Sequence, residues 1–189
     1  MDKKQLRIDY LAKRNKLTAH QFSYLNQQIT DQLTLFILTR SINNLHVFLP
    51  IEKHKEVNLW PFVNKLSGKI NIICSCSNLT NGTMSHFYIN SNTTFTKNRW
   101  GIPEPTDGLP VQASEIEMVL VPLLIADEQG HRVGYGKGFY DRFLADTNQS
   151  CLKIGLSLFE PIKNIADVEP HDIRLTHLIT PKKVYTFNT

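Results

Sequence analysis

Ten residues in the second half of the chain, Glu117 to Ala126 (EMVLVPLLIA), form its most apolar run. A stretch apolar at nearly every position has no face to give to water. It therefore reads as a central strand, covered on both sides. Pro122 has no N–H to donate and counts against a regular ladder along the whole run. Other apolar stretches read as further strands: residues 45–50 (LHVFLP), 69–75 (KINIICS), 152–159 (LKIGLSLF) and 177–180 (HLIT). Residues 84–90 (MSHFYIN) alternate as a strand does, after a turn signal at 80–83 (TNGT).

Helical patterns separate these strands. Residues 2–17 read as a basic helix. In the next, Thr18 and Gln21 form a capping box, followed by Phe22, Leu25, Ile29, Leu33, Phe36 and Ile37 at helical spacing. Residues 57–68 read as a helix closed by Gly68, and 139–146 as another. Strands alternating with helices predict an α/β domain, with a mostly parallel sheet and helices on both faces. In such sheets ligands bind beyond the carboxyl ends of the strands. A length of 189 residues suits one domain with a helical arm over about 2–40. Residues 91–116 are polar and rich in Pro and Gly, and read as one long connection carrying Phe95 and Trp100.

A net charge of +4 suits anionic ligands but falls short of a nucleic-acid-binding composition. Cys74, Cys76 and Cys151 lack the spacing of a zinc site and read as free, buried thiols. The first residues are charged, and no apolar run is long enough to span a bilayer. A cytoplasmic protein, with no membrane partner, is expected.

The stretch from Arg132 to Arg142 (RVGYGKGFYDR) places glycines at 134, 136 and 138, with Lys137 between the last two. A glycine-rich entry to a helix leaves N–H groups pointing outward, and the helix dipole adds positive charge there. That is a cradle for phosphate. Lys137 and Arg132 would add full charges, and Asp141 could hold Mg²⁺ bridging phosphates. The spacing is neither a P-loop nor a dinucleotide fingerprint. The glycines alone leave a second reading open, a tight loop whose Asp complements the helix dipole. On the first helix Lys3, Arg7 and Arg14 fall within about 40° of one another and border the apolar stripe of Leu6, Tyr10 and Leu17. Such a row is either a solvated face or the edge of a cleft that holds phosphates.

Taken together, KKQLR (3–7), FLPIEKHKEV (48–57), WGIPEP (100–105), the run from Val121 to Arg142, and EPHD (169–172) resemble the 5-formyltetrahydrofolate cyclo-ligase (methenyltetrahydrofolate synthetase) family. The likeness spans nearly the whole chain. It implies a three-layer α/β/α sandwich similar to ribose-phosphate isomerase-like folds. It also implies MgATP-driven conversion of 5-formyltetrahydrofolate, with or without a polyglutamate tail, to 5,10-methenyltetrahydrofolate. By the same resemblance Lys3, Lys4 and Arg7 are ATP-binding positions. Arg132, Gly134, Tyr135, Gly136, Lys137, Gly138, Phe139 and Tyr140 form the loop around the nucleotide phosphates, and Tyr135 to Phe139 also face the folate. Arg132, Lys137 and Tyr140 are implied to serve the chemistry. Asp141 and Asp172 are the implied magnesium ligands, and Leu49, Glu56 and Trp100 the implied folate contacts. The chain departs from the family at Ala126 and Phe139, where aromatic and Tyr residues are common. Its step from Leu49 to Glu56 is longer than in some members, which leaves Glu52 as an alternative to Glu56. Scattered histidines (His20, His46, His86, His131) read as surface or packing residues, and Asp127 with Glu128 as turn formers. A monomer is expected. Two rival functions are a small-molecule kinase using the same loop and a basic nucleic-acid-binding module.

Overall fold

The computed structural model describes residues 1–66 and 68–188. Two capped helices lead the chain. In α1 (Lys3–Asn15) the Asp2 carboxylate accepts from the Gln5 N–H at 2.7 Å. In α2 (Ala19–Leu38) Thr18 and Gln21 close the expected capping box in both directions. Then follow β1 (Asn44–His46), α3 (Trp60–Leu66), β2 (Asn71–Ser77) and β3 (Met84–Ile89). The short strands β4 (Phe95–Lys97), β5 (Pro103–Pro105) and β6 (Pro110–Val111) precede β7 (Met118–Pro122). A hairpin of β8 (Ile125–Ala126) and β9 (Arg132–Val133) leads to α4 (Phe139–Ala145). The chain closes with β10 (Leu152–Leu156), β11 (His177–Ile179) and β12 (Val184–Thr186).

Eight of these strands form the main sheet, in the order β12-β11-β10-β7-β1-β2-β3-β6. The five central strands, β11 to β2, run parallel; β12 and β3 flank them antiparallel, and β6 pairs antiparallel with β3 at the edge. Side chains of β7 alternate between two cores. Met118 and Leu120 meet Ile29, Leu33 and Phe36 of α2 and Phe62 of α3. Val119 and Val121 meet Phe143 and Leu144 of α4. Both faces of the sheet are thus covered by helices, as expected. Helix α1 instead packs Leu6 and Tyr10 on Leu124, Ile125 and Val133 of the β8–β9 hairpin. From β1 the chain proceeds to β2 on one side and later to β7 on the other. This reversal opens a crevice above the carboxyl ends of β1 and β7.

Several boundaries differ from the sequence reading. The apolar run 117–126 is two strands, because pairing in the main sheet ends at Pro122. Predicted strands 45–50 and 152–159 stop at His46 and Leu156, where the chain turns away as cleft wall and loop. Predicted helix 57–68 begins only at Trp60, whose N–H is held by the Asn58 side chain at 3.1 Å. Its predicted closing residue Gly68 has φ +79°, and Ser67 lies outside the described residues. The connection 91–116 is structured after all. Phe95–Lys97 and Pro103–Pro105 pair as a hairpin, and β6 completes the sheet edge beside β3. Strands this short and rich in proline carry almost no period-2 signal.

Helix α2 gives the fold its sharpest test, since Leu33 is fully buried while Leu35 is 66% exposed. Leu33→Ala should lower the unfolding free energy by about 3 kcal/mol in urea titrations. Leu35→Ala should change it by less than about 0.5 kcal/mol.

Candidate active site

A cavity of about 440 Å³ fills the crevice. Its floor is the last residue of β1 and the chain after it (His46 to Leu49), with Ser75 of β2 and Pro122 of β7; its lid is the glycine loop. The sequence-predicted residues converge here: Lys3, Arg7, Leu49, Glu56, Trp100, Arg132, the loop from Gly134 to Tyr140, Asp141 and Asp172 all line it. Lys4 does not. It is exposed on α1, one position round from Lys3, and lies outside the cavity.

The loop is shaped by its own contacts. Gly136 and Gly138 have φ of +79° and +68°, conformations that a side chain would strain. A Cβ on Gly136 would also press on the Arg7 guanidinium, at 3.1 Å. Arg7 Nε donates to the Gly134 carbonyl at 3.0 Å. From the other side Arg142 donates to the carbonyls of Lys137 (2.9 Å) and Gly82 (2.8 Å), bracing the loop against the turn before β3. Lys137 itself is exposed at the loop's tip.

Charges pair across the cleft. Lys3 Nζ donates to Asp172 Oδ2 at 2.5 Å. Burial acts to raise the Asp172 pKa, but the Glu169 N–H and the Lys3 ammonium outweigh it and hold it below the ordinary value. Arg132 donates to Asp141 Oδ1 at 2.6 Å and to the Ile173 carbonyl. Its side chain is only 6% exposed, so it works largely as a strut between β9 and α4. The other oxygens, Asp141 Oδ2 and Asp172 Oδ1, take no hydrogen bond among the described residues. Among those residues no three or more His, Cys, Asp or Glu side chains gather as a metal cluster.

At the other end lie aromatics and a buried carboxylate. Trp100, at the tip of the β4–β5 hairpin, meets Phe139 edge-on at 5.9 Å. Asn98 fixes that tip, accepting from the N–H groups of Trp100 (2.9 Å) and Ile102 (3.1 Å). Between the two candidates, the cleft takes Glu56; Glu52 is exposed and pairs with Lys97 at 3.2 Å. Glu56 is 5% exposed and accepts from the Ile51 N–H at 2.6 Å. Burial raises its pKa, opposed by the Ile51 N–H, Tyr135 and Arg14. Lys55, with φ +46°, turns the chain so that Glu56 points inward. The Lys55 ammonium caps the carbonyls of Asn15 (2.8 Å) and Leu17 (2.5 Å) at the end of α1.

Some residues escaped the sequence reading. His46 and His86 are buried, and Ser75 joins them: His46 Nε2 lies 2.7 Å and His86 Nδ1 2.8 Å from its Oγ. The row crosses β1, β2 and β3 beneath Phe143 of α4. A polar residue inside the apolar stretch 45–50 was the available signal. His131 was read as surface or packing, and pairs with Asp127 in the turn, at 3.1 Å. Lys53 and His54 also line the cavity. Of the basic row, Lys3 and Arg7 border the cleft as one reading proposed, whereas Arg14 is buried.

A profile of the 5-formyltetrahydrofolate cyclo-ligase family matches residues 1–181. The chain belongs to that family. A 5-formyltetrahydrofolate cyclo-ligase of Mycoplasma genitalium is 32% identical over 158 residues, covering 83% of this chain and 85% of that protein. One of Mycoplasma pneumoniae is 29% identical over 182 residues, covering 95% and 98%. The solved structure of Aquifex aeolicus 5,10-methenyltetrahydrofolate synthetase superposes with a TM-score of 0.86 at 25% identity, covering 100% of this chain and 94% of that one. The α/β fold and the enzyme class expected from the sequence, a cyclo-ligase, are those of the family.

The buried histidines set a pH dependence. Burial, then the neighbouring His86, holds His46 well below 6.5, and burial brings His86 down to about 4 against the pull of Asp146. A histidine depressed on folding loses its contribution to stability as pH falls from the unfolded value towards the folded one. The melting temperature should therefore fall between pH 6.5 and 5, and His86→Asn should flatten that fall by on the order of 5 °C. Unchanged slopes in pH-resolved thermal melts would count against a neutral pair.

Proposed function

We propose that this cleft joins MgATP to 5-formyltetrahydrofolate and closes the folate ring, giving 5,10-methenyltetrahydrofolate, ADP and phosphate. The observation that carries the reading is that one cavity unites two unlike ends. Lys3, Arg7, Lys137 and the loop glycines suit phosphates; Glu56, Trp100 and Phe139 suit a flat ring with N–H donors.

The chemistry needs a leaving group on the formyl carbon. The formyl oxygen attacks the γ-phosphorus and ADP leaves. N10 then attacks the formyl carbon, its proton departs, the C–O bond breaks and phosphate is released. The chain's part is alignment and charge neutralisation. Lys137 and Arg7 meet the phosphoryl oxygens at the loop. Trp100 and Phe139 offer the folate ring an aromatic wall, and the Glu56 carboxylate accepts its N–H groups. Magnesium, which favours one or two carboxylates plus phosphates, fits the open oxygens of Asp141 and Asp172. When bound there it would supply neutralisation of the β- and γ-phosphates.

The test follows near-ultraviolet absorbance of the methenyl product on mixing protein, 5-formyltetrahydrofolate, ATP and Mg²⁺. Turnover should require all of them. Phosphorylated product without the absorbance rise would favour a kinase instead. Lys137→Ala, at an exposed position, should lower turnover by about 100-fold or more with the melting temperature nearly unchanged. Asp141→Asn should raise the Mg²⁺ concentration for half-maximal rate by about tenfold. It also removes the charge opposite Arg132, so its melting temperature should drop as well.

A further inference from the structure

The proposed reaction leaves one proton without a destination, the one that N10 loses as the ring closes. An amine that has attacked carbon carries positive charge, so its proton is acidic and needs only a modest acceptor able to pass it on. Lys3, Arg7 and Lys137 line the cavity but only donate. Asp141 and Asp172 already answer Arg132 and Lys3. Ser75, on the cavity floor, differs in having a path built behind it.

Ser75 is the half-buried member of a row whose other two members are sealed in: His46 is 0% and His86 7% exposed. Its Oγ lies 2.7 Å from His46 Nε2 and 2.8 Å from His86 Nδ1. Ser75 and His86 are direct partners across β2 and β3, and Phe143 of α4 covers both imidazoles, at 4.8 and 4.1 Å between ring centroids. A hydroxyl has one proton and two lone pairs, and a neutral imidazole has one N–H and one bare nitrogen. His46 Nδ1 is buried with no partner among the described residues. Among buried backbone groups an orphaned donor is rarer than an orphaned acceptor; the same preference makes Nδ1 the bare nitrogen, so that Nε2–H donates to Ser75. His86 Nε2 also lacks a protein partner, but unlike His46 Nδ1 it is not sealed from solvent. Water can therefore take an N–H there, which leaves His86 Nδ1 to accept the Ser75 proton. The row then has one direction, from His46 to Ser75 to His86, and Ser75 keeps one lone pair for the cavity.

We infer that Ser75 is the catalytic proton acceptor for ring closure and that His86 carries the proton from it to solvent. The inference rests on the proposed function for the source of the proton. The N10–H bond breaks, its electron pair stays on N10, and the proton bonds to Ser75 Oγ. In the same event the Ser75 O–H bond breaks and that proton bonds to His86 Nδ1. The imidazolium then gives its Nε2 proton to water. Burial brings the His86 pKa down to about 4, so at neutral pH the charged ring sheds its proton readily. His46 carries no proton in this scheme; as a positioning residue it holds the hydroxyl aimed at His86.

Two measurements test the relay. The first needs neither turnover nor a variant: long-range proton–nitrogen NMR of histidine-labelled protein at pH 7 reports which ring nitrogen carries hydrogen. His46 and His86 should both be the Nε2–H tautomer. His46 on Nε2 with His86 on Nδ1 would make Ser75 a donor to the cavity, and any pair other than the expected one overturns the inference. The second separates the two chemical steps in a single turnover. In Ser75→Ala, ADP should form within about twofold of the parent rate while the methenyl absorbance rises about 100-fold more slowly. His86→Asn should show the same split, and Ser75→Thr, which keeps the hydroxyl, should recover most of the absorbance rate. A merely structural role would slow both steps together or neither, and either result overturns the inference. His54 also lines the cavity, with its Nδ1 unpaired among the described residues. An absorbance rate lost in His54→Asn and kept in Ser75→Ala would assign the proton to His54 and overturn the inference while leaving the proposed function intact. A parent protein that never forms the methenyl product would sink the proposed function, and the relay with it.

Discussion

At Pro122 the central strand meets a residue with no proton for its neighbour, and much of the cleft follows from how the chain recovers. The backbone groups beyond it need partners elsewhere. The Leu123 carbonyl finds Arg14, and the Leu124 N–H finds the Val133 carbonyl. The second contact starts the β8–β9 hairpin, whose turn is pinned by Asp127 accepting from the N–H groups of Gln129 and His131, both at 2.9 Å. The hairpin in turn gives α1 a surface to pack on and delivers Arg132 and the glycine loop over the ends of β1 and β7. One imino acid thereby links the sheet, the first helix and the lid of the cavity.

The charged residues around the cavity are arranged by the same economy. Lys3 answers Asp172 and Arg132 answers Asp141. The first pair ties α1 to the 169–173 segment, and the second ties β9 to α4 nine residues on, with both its members also bonded to the Ile173 backbone. Each carboxylate keeps one oxygen open, and Lys137 stays exposed at the loop. The structural contacts thus use one oxygen of each carboxylate and leave the other without a hydrogen bond among the described residues.

How much of this could be read beforehand depended on the kind of signal. Helix α2 was legible because its capping box and apolar spacing agree. The core strands β2, β7 and β10 were legible because both their faces are apolar. The glycine loop was visible as spacing, and its placement beside Asp172 and Glu56 came with the family resemblance. Hidden were features fixed by tertiary contacts alone. The β4–β5 hairpin has three-residue strands, one bounded by prolines at both ends. The His46–Ser75–His86 row unites three strands whose residues share no local pattern. Arg14 shares a helical row with Lys3 and Arg7, yet of the three it alone is buried, against Leu123 and Tyr135. Periodicity gives an angle around a helix but says nothing of what covers it at each turn.

The loop from Gly134 to Gly138 is fastened at both shoulders by the protein's own arginines, Arg7 from α1 and Arg142 from α4. Its shape is therefore held by the protein's own contacts. A polyanion that docked there would meet a loop already held, and little chain entropy would be lost on arrival. Its association rate would then be governed by diffusion and electrostatic attraction, with no ordering step to slow it. Most of the differences in affinity among phosphate-bearing ligands would appear in how quickly each one leaves.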